Sequence, residues 1–458
     1  MRTVVFALLF VFSFSFGYGQ DIAGDWNGVL KVGEGKLRLV LHVSKADTGF
    51  KSTLDSPDQG ALGIPVTRTT FENSELHIAA ASLNLEYKGT MIGDSIKGSF
   101  RQGGMELPLD LVRGVKKVLK RSQEPIGPYS YHTEDIMFKN PIANISLAGT
   151  LSLPKTSGKY PAVVLISGSG PQNRDEELVG HKPFLVIADH LTKNGIAVLR
   201  FDDRGVAKSE GNFKKATIDD FTSDVESAIA YLRTRTEIDS KKIGLIGHSE
   251  GGIIAPLVAA KRSDVHFIVM LAGPGIPGNE LLLLQKAKIE SQMGLSAAAV
   301  EESGNLIKGA YEIILASSTQ ETELRKNVSS YFQSKVGDQM PESQMNTIVN
   351  QLTSPWFIGL LKYNPSQVLS KVKCPVLALN GGKDVQVLAM ENLAGIQAAL
   401  NQGGNRNVKV KEYPSLNHLF QECKTCLVSE YADLEESFSP MVLDDMTAWI
   451  SATTGLKK

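Results

Sequence analysis

Hydrophobic and polar residues alternate in short runs over the first quarter of the chain, and glycine and aspartate residues separate the runs. The segments 37–43 and 83–87 place every second side chain on an apolar face, as strands with one buried face do. The pattern predicts an antiparallel β domain over residues 20–115 that curls into a sandwich or a partial barrel.

From about residue 131 the pattern changes to continuous apolar runs separated by amphipathic segments. The apolar runs lie at 161–166, 196–199, 243–246, 267–271 and 376–379. Such runs are typical of parallel strands buried on both faces, and the segments 218–232 and 390–400 between them have helical spacing. The alternation predicts a doubly wound, mostly parallel α/β sheet formed by residues 131–276 and 364–458.

The strand pattern is interrupted between these two parts of the sheet. Residues 277–363 contain helix-forming segments, notably 280–293 and 296–314. We expect a helical cap insertion over the active site, and the alternative is a side bundle that does not contact substrate. Residues 116–130 combine basic residues with two prolines and are predicted to be a linker.

The N-terminal segment predicts a cellular compartment, and the net charge disfavours nucleic acid as a partner. The chain has 458 residues, 42% hydrophobic content and a formal net charge of -1, which gives no charge excess for binding nucleic acid. Arg2, the apolar run 4–16 and the small residues at 17–19 are typical of a signal peptide, predicted over 1–19 with cleavage after Gly19. We therefore expect an exported protein, periplasmic or extracellular, without membrane insertion, because no later run reaches the ~18 apolar residues that a span needs.

The three cysteines fit an oxidising compartment only loosely. Cys423 and Cys426 are close enough in sequence to close a small ring, and Cys374 at the start of an apolar strand is expected to be a buried free thiol. A redox role for the pair is the alternative, which we disfavour because the pair does not open a helix after a strand.

The segment Gly-His-Ser-Glu-Gly at 247–251 lies between an apolar run and a helix-forming segment. This is the pattern of a nucleophile elbow, in which Ser249 occupies a sharp strained turn. Gly247 and Gly251 fit the pattern because a Cβ at either position would meet the neighbouring strand or helix. The alternative is an ordinary loop between a strand and a helix.

A serine nucleophile needs a histidine to accept its proton and a carboxylate to orient that histidine. When such a serine lies on an elbow between a strand and a helix, the acid and then the histidine follow it in the chain. Near or beyond Ser249 stand His248, His266 and His418. His248 belongs to the elbow itself and His266 opens an apolar strand, so His418, which follows the predicted strand 408–412, is the expected base.

The acid is expected at the carboxyl end of a strand, where the catalytic groups of open α/β sheets gather. Asp384 follows the strand 375–380 and a glycine turn. Its rivals are Asp264, which ends a helix, and Asp338, which lies in the insertion. The predicted catalytic residues are therefore Ser249, Asp384 and His418.

The tetrahedral intermediate needs two backbone N–H donors. One is expected from Glu250, the residue after the serine, and the other from Ser169, or else Gly170, in the glycine-containing loop 167–175. Asp203 and Arg204 are predicted to form a hydrogen-bonded network behind this loop, and a substrate-binding role for Arg204 is the alternative.

Five short blocks together resemble a known family. They lie at 167–175, 202–205, 247–252, 381–384 and 417–420. In order and spacing they are similar to secreted bacterial esterases of the α/β-hydrolase superfamily, in the branch near serine aminopeptidases and acyl-peptide hydrolases. The resemblance covers about residues 131–455 and implies a small β domain before the hydrolase and a helical insertion over the pocket. Ala207 departs from it, because that position more often carries glycine.

The favoured hypothesis is a serine carboxylesterase that works through an acyl-enzyme and needs no cofactor or metal. The expected partner is a small acyl ester or a short peptide, and a homodimer is left open. A peptidase is the alternative, with a substrate ammonium held by an acid for which the candidates are Glu250, Glu280, Glu301 and Glu302. A non-catalytic ligand-binding protein is the third hypothesis.

Overall fold

The computed structural model describes residues 21–32, 35–56, 61–102, 105–114, 121–318, 321–337, 340 and 342–456. The predicted signal peptide and Asp338 lie outside these residues. The described residues form two compact units, the first made of residues 21–30, 37–56, 61–102 and 105–114 and the second made mainly of residues 121–456. Within the described part of the chain, no helix has the length and hydropathy needed to cross a bilayer.

The first unit is a single nine-stranded sheet. Its strands are β1 (Gly24–Val32), β2 (Gly35–Lys45), β3 (Phe50–Ser56), β4 (Ala61–Pro65), β5 (Arg68–Glu72), β6 (Glu75–Ala80), β7 (Leu85–Ile92), β8 (Ser95–Gln102) and β9 (Met105–Arg113). The order is β4-β3-β2-β1-β9-β8-β7-β6-β5, so the first strand pairs with the last, and that pairing is antiparallel. The hydroxyl of Thr69 on β5 donates to that of Ser52 on β3 at 2.9 Å. The sheet therefore curls until strands near its two ends meet.

Trp26 lies at the centre of this unit. Its side chain is fully buried, and the indole N–H donates to the Ile22 carbonyl at 2.9 Å. The Arg113 guanidinium covers the ring at 4.3 Å from its centroid. The indole thus combines apolar burial with a satisfied polar atom, as a buried tryptophan requires.

The second unit is built on an eight-stranded sheet. Its strands are β10 (His132–Asn140), β11 (Ile145–Leu153), β12 (Tyr160–Ile166), β13 (Ala197–Phe201), β14 (Ile238–His248), β15 (Phe267–Leu271), β16 (Val376–Gly381) and β17 (Val408–Tyr413). The order is β10-β11-β13-β12-β14-β15-β16-β17. Strands β12 to β17 are parallel to one another. Strand β11 is antiparallel to its neighbour β13, and β10 is antiparallel to β11. The five predicted apolar runs are β12 to β16.

Helices cover both faces of this sheet. They are α1 (Pro183–Lys193), α2 (Ile218–Thr234), α3 (Gly251–Lys261), α10 (Ala389–Gln402) and α11 (Pro440–Thr454). Alternate side chains of β12 enter different cores: Val164 packs with α2, α3 and α10, whereas Val163 packs with α1 and α11. Burial on both faces explains why these strands are continuously apolar.

The insertion between β15 and β16 is helical. Its helices are α4 (Gly278–Gln292), α5 (Ala297–Ala316), α6 (Glu321–Val336), α7 (Glu342–Leu352), α8 (Pro355–Lys362) and α9 (Pro365–Leu369). Helices α5 to α8 share an apolar core that includes Tyr311, Phe332 and Phe357. Helix α9 instead places Leu369 in the core of the main sheet. The described core of the insertion therefore ends with α8, and α9 packs with the main sheet.

Two sequence expectations need correction. Residues 121–130 are not a free linker, because the Arg121 guanidinium donates to the Ala432 carbonyl at 2.9 Å and the Gln123 amide to the Phe438 carbonyl at 2.7 Å. Cys374 is a free thiol but is only half-buried.

Cys423 and Cys426 are joined in a disulfide.

Candidate active site

The elbow lies between β14 and α3. Ser249 has a φ of +52°, in the left-handed region that a non-glycine residue rarely adopts, and its N–H donates to the Leu271 carbonyl at 2.8 Å. A Cβ on Gly247 would overlap the Gly251 carbonyl, and one on Gly251 would overlap the Ile166 carbonyl. Both glycines are therefore needed to bring strand, turn and helix this close together.

His418 and Asp384 are joined by a direct hydrogen bond. The distance between His418 Nδ1 and Asp384 Oδ2 is 2.7 Å, and both side chains are buried. The other carboxylate oxygen of Asp384 accepts the N–H groups of Gln386 at 2.7 Å and Val387 at 2.9 Å. The carboxylate is thus fixed from both sides and presents one oxygen to the imidazole.

The two loops that carry these residues are bound to each other. The Lys383 N–H donates to the Leu416 carbonyl at 3.0 Å, and a Cβ on Gly381 would overlap the carbonyls of Leu416 and Asn417. The fully buried Asn417 side chain accepts the N–H of Leu419 at 2.9 Å. The loop after β16 and the loop after β17 therefore hold a fixed separation, which sets the length of the bond between the acid and the histidine.

His248 connects the elbow to the histidine loop. Its Nε2 lies 3.1 Å from the His418 carbonyl, and its Nδ1 lies 2.8 Å from Glu176 Oε1. The rings of His248 and His418 are 4.8 Å apart between centroids. Because His248 directly precedes Ser249, these contacts bring His418 to the elbow.

The loop 167–175 is held from behind by the acids that follow β13. Asp203 accepts the hydroxyl of Ser167 at 2.8 Å and the N–H of Gln172 at 3.0 Å. Asp202 accepts the N–H of Arg174 at 2.8 Å and pairs with its guanidinium. The predicted network behind the loop therefore contains Asp203, with Asp202 as its second member.

Arg204 faces away from this loop. Its guanidinium pairs with Asp220 at 2.6 Å and with Asp224 at 2.7 Å on α2. The expectation that Arg204 joins Asp203 in the network behind the loop is therefore wrong. This pairing occupies the guanidinium and disfavours a substrate-binding role for Arg204.

One predicted oxyanion donor, Glu250, belongs to the elbow, and the other, Ser169, belongs to the loop after β12. Among the described residues, the N–H groups of Ser169 and Glu250 donate to no protein acceptor, whereas the Gly168 N–H donates to Glu176 Oε1 at 2.6 Å. Ser169 is exposed. Two backbone donors thus remain open to a ligand near Ser249.

The Glu250 carboxyl group is buried beneath the insertion. It accepts the indole N–H of Trp356 on α8 at 2.8 Å. Burial raises the pKa of Glu250 to about 7, against the opposing effect of this hydrogen bond. Burial likewise raises the pKa of Asp203 to about 7 despite its bonds to Gln172 and Ser167. The edge of the sheet therefore contains two carboxyl groups that titrate near neutral pH.

The other residues considered from sequence lie elsewhere. Glu280, Glu301 and Glu302 are exposed, so Glu250 alone among the four proposed anchors has a buried carboxyl group. Asp264 pairs with Arg262 at 2.7 Å. His266 stands at the start of β15, at the opposite end of the strand from the elbow.

Sequence reasoning missed two residues at this site. Glu176 carries no local signal, since its contribution depends on a φ of +49° that turns its side chain inward. Trp356 contacts Glu250 across 106 residues of chain. A tryptophan in a helical insertion is ordinarily core, and the pattern did not distinguish this one.

The comparisons with known proteins concern the family of the chain and not the roles of individual residues. The model of the family described as serine aminopeptidase, S33 matches residues 182–422, just over half of the chain. The matched range contains Ser249, Asp384 and His418 and begins after the loop 167–175.

Individual relatives are more distant. The chain is 27% identical over 294 residues to esterase EstD of Thermotoga maritima, a match that covers 64% of this chain and 61% of the esterase, so it spans less than two thirds of that relative. It is 28% identical over 245 residues to an uncharacterized 31.7 kDa protein of Escherichia coli, over 52% of this chain and 77% of that protein. A solved structure of the Pyrococcus furiosus esterase Pf2001 aligns with 72% of this chain and 96% of its own, with a TM-score of 0.45 and 18% identity.

The resemblance to esterases of the α/β-hydrolase superfamily is thereby confirmed, and the predicted roles of individual residues stay predictions. The chain belongs to the serine aminopeptidase S33 family of α/β-hydrolases.

Proposed function

We propose that the protein is a serine hydrolase that cleaves carboxylic esters through an acyl-enzyme. The observation that carries the proposal is the 2.7 Å hydrogen bond from His418 to the buried Asp384, beside a serine held at a φ of +52°. A buried carboxylate fixes the imidazole tautomer and stabilises the imidazolium that forms when the serine proton is taken up. The strained elbow projects the hydroxyl into the site.

In the first step the Ser249 oxygen bonds to the acyl carbon while its proton passes to Nε2 of His418. The carbonyl oxygen becomes an oxyanion, for which the N–H groups of Glu250 and Ser169 are the available donors. The tetrahedral intermediate then expels the alcohol, which takes the proton from His418. Water attacks the acyl-enzyme by the same route and releases the acid.

Peptide hydrolysis is the second candidate, and Glu250 is the observation that favours it. A carboxyl group buried next to the elbow could bind the ammonium of a peptide N-terminus, and the family is described as serine aminopeptidases. The same serine, histidine and acid would cleave an amide. The two functions differ in substrate and share Ser249.

The test is a substrate panel measured on wild type, on Ser249→Ala, and on Ser263→Ala, an exposed serine, as the matched control. The panel consists of p-nitrophenyl esters of graded acyl length and aminoacyl p-nitroanilides. We expect ester hydrolysis by wild type and Ser263→Ala and its loss in Ser249→Ala. Cleavage of the anilides alone would replace the esterase proposal with the peptidase, and ester hydrolysis that survives in Ser249→Ala would refute both.

A further inference from the structure

His248 is a buried histidine whose two ring nitrogens both face hydrogen-bond acceptors. Nε2 lies 3.1 Å from the His418 carbonyl, which can only accept, so Nε2 must carry a proton. Nδ1 lies 2.8 Å from Glu176 Oε1. The same oxygen accepts the Gly168 N–H at 2.6 Å, which favours an ionised carboxylate and hence a proton on Nδ1 as well.

His181, another buried histidine of the same unit, gives a contrasting case. Its Nε2 lies 2.7 Å from the Tyr431 carbonyl, but its Nδ1 lies 3.0 Å from the Ser437 hydroxyl, which can donate. A neutral ring satisfies both contacts. Burial lowers the pKa of His181 to about 4.

The charges that surround His248 explain why its pKa is raised whereas the pKa of His181 is lowered. Burial has the largest single effect and lowers the pKa of His248, but Glu176, the His418 carbonyl and Asp384 together outweigh it and raise the pKa above the ordinary value. The ring of His418 faces His248 from the loop after β17. Asp203, on the loop after β13, is a further acid close to Glu176.

Glu176 adopts a strained backbone conformation that its buried contacts stabilise. It is 4% exposed and has a φ of +49°, a conformation that costs a non-glycine residue of the order of 1 kcal/mol or more. A Cβ on Gly168 would lie 3.2 Å from Glu176 Oε1, 3.3 Å from the Ser249 Cβ and 3.5 Å from His248 Nδ1. The loop before Glu176, the elbow and the imidazole of His248 therefore meet at one point.

We propose that His248 and Glu176 form a buried imidazolium–carboxylate pair that positions the reacting groups of the site. The His248 end holds the main chain of His418, and the Glu176 end holds Gly168, so that the next N–H, that of Ser169, is the one presented to the oxyanion. Both are positioning residues, because each acts through the main chain of another residue, His418 or Gly168. The proposal rests on the proposed serine hydrolase function.

The protonation state can be measured on the wild-type protein independently of activity. Histidine-selective ¹⁵N labelling and long-range proton–nitrogen correlation report whether each ring nitrogen carries a proton, and the spectrum of His248→Gln assigns the signal. At about pH 6.5, the ordinary histidine pKa, we expect the doubly protonated ring to predominate in His248 and a neutral tautomer in His181. A neutral tautomer in His248 at that pH would overturn the ion pair.

The positioning role is tested by steady-state kinetics on an ester substrate with His248→Gln, Glu176→Gln and the double variant. We expect each single variant to lose about 10- to 100-fold in kcat with KM changed by less than about threefold, because alignment affects the transition state more than ground-state binding. The double variant leaves no unpaired charge but also lacks the pair, so it should lose about as much kcat as the less affected of the two single variants. His266→Gln, at the opposite end of β15, is the matched control.

A kcat within about twofold of wild type in His248→Gln, or in the double variant if the single ones fail to fold, would overturn the positioning role. Failure of the proposed function looks different. In that case wild type itself hydrolyses no ester, and the positioning role falls with it, while the labelling experiment still decides whether the ion pair exists.

Discussion

The buried carboxyl group of Glu250 should make the stability of this protein depend on pH in a defined window. The perturbation is Glu250→Gln, which removes the ionisable group and keeps an oxygen to accept the Trp356 indole N–H. Glu302→Gln is the matched control, because it makes the same chemical change at an exposed position.

The magnitude follows from the pKa. Burial raises the pKa of Glu250 from 4.5 to about 7, so the folded state holds this proton more tightly than the unfolded state does. Below about pH 4.5 both states are protonated, and above about pH 7 both are ionised, so the stabilisation is complete below the lower value and is lost as the pH rises to the upper one. At 1.36 kcal/mol per pH unit, the loss is about 3 kcal/mol.

The assay is urea denaturation at about pH 5 and about pH 8, with the free energy of unfolding of wild type compared with that of Glu250→Gln. Wild type should lose most of this ~3 kcal/mol relative to the variant between the two conditions, whereas Glu302→Gln should track wild type. The reasoning would be refuted if the free energies of unfolding of wild type and Glu250→Gln differed by the same amount at both pH values. That result would mean that Glu250 has the same pKa in the folded and in the unfolded state.

Three further predictions concern single positions. Asp384→Asn should keep the fold but lower kcat by about 10⁴-fold, because the amide no longer selects the required tautomer of His418, and ester kinetics with a thermal melt would check both parts. Gly251→Ala should abolish hydrolysis, because the added Cβ would overlap the Ile166 carbonyl and the elbow could not form. Gly304→Ala is the control: its Cβ would lie in open space, so it should keep activity and leave stability unchanged or raise it by up to ~1 kcal/mol. Equal activity in the two variants would contradict this. Trp26→Phe should destabilise the first unit by about 1–3 kcal/mol through the lost indole hydrogen bond, measured by denaturation, and leave hydrolysis unchanged.

The order of elements and the candidate catalytic residues could be read from sequence because both follow strong constraints. Parallel strands buried on two faces must be continuously apolar, which located β12 to β16. Asp384 and His418 were identified because few acids and histidines follow Ser249 at the carboxyl end of a strand. In the structure the loops after β16 and β17 bring these two side chains within hydrogen-bond distance.

The remaining features depend on contacts that no local pattern encodes. Glu176 enters the site only because a non-glycine residue adopts a left-handed conformation, and Trp356 reaches Glu250 through the packing of an insertion on the main fold. Residues 121–130 have the composition of a linker, yet Arg121 and Gln123 bind main-chain carbonyls more than 300 residues away. Composition describes how a segment behaves alone and not which surface it meets.

His248 is a further residue whose contacts the local sequence pattern does not predict. Its position inside the elbow pattern is the reason to set it aside as the base, and in the structure its two ring nitrogens face Glu176 and the His418 carbonyl. What the pattern could not supply is its partner, because Glu176 stands 72 residues earlier in the chain.

The central claim is that Ser249 is the nucleophile of a hydrolase. It is tested most directly by treating the protein with a fluorophosphonate, which modifies activated serines, and by locating the adduct with peptide mass spectrometry alongside ester turnover. The account predicts a stoichiometric adduct on Ser249 and loss of both labelling and turnover in Ser249→Ala. An adduct on a different residue, or turnover that survives in Ser249→Ala, would contradict it.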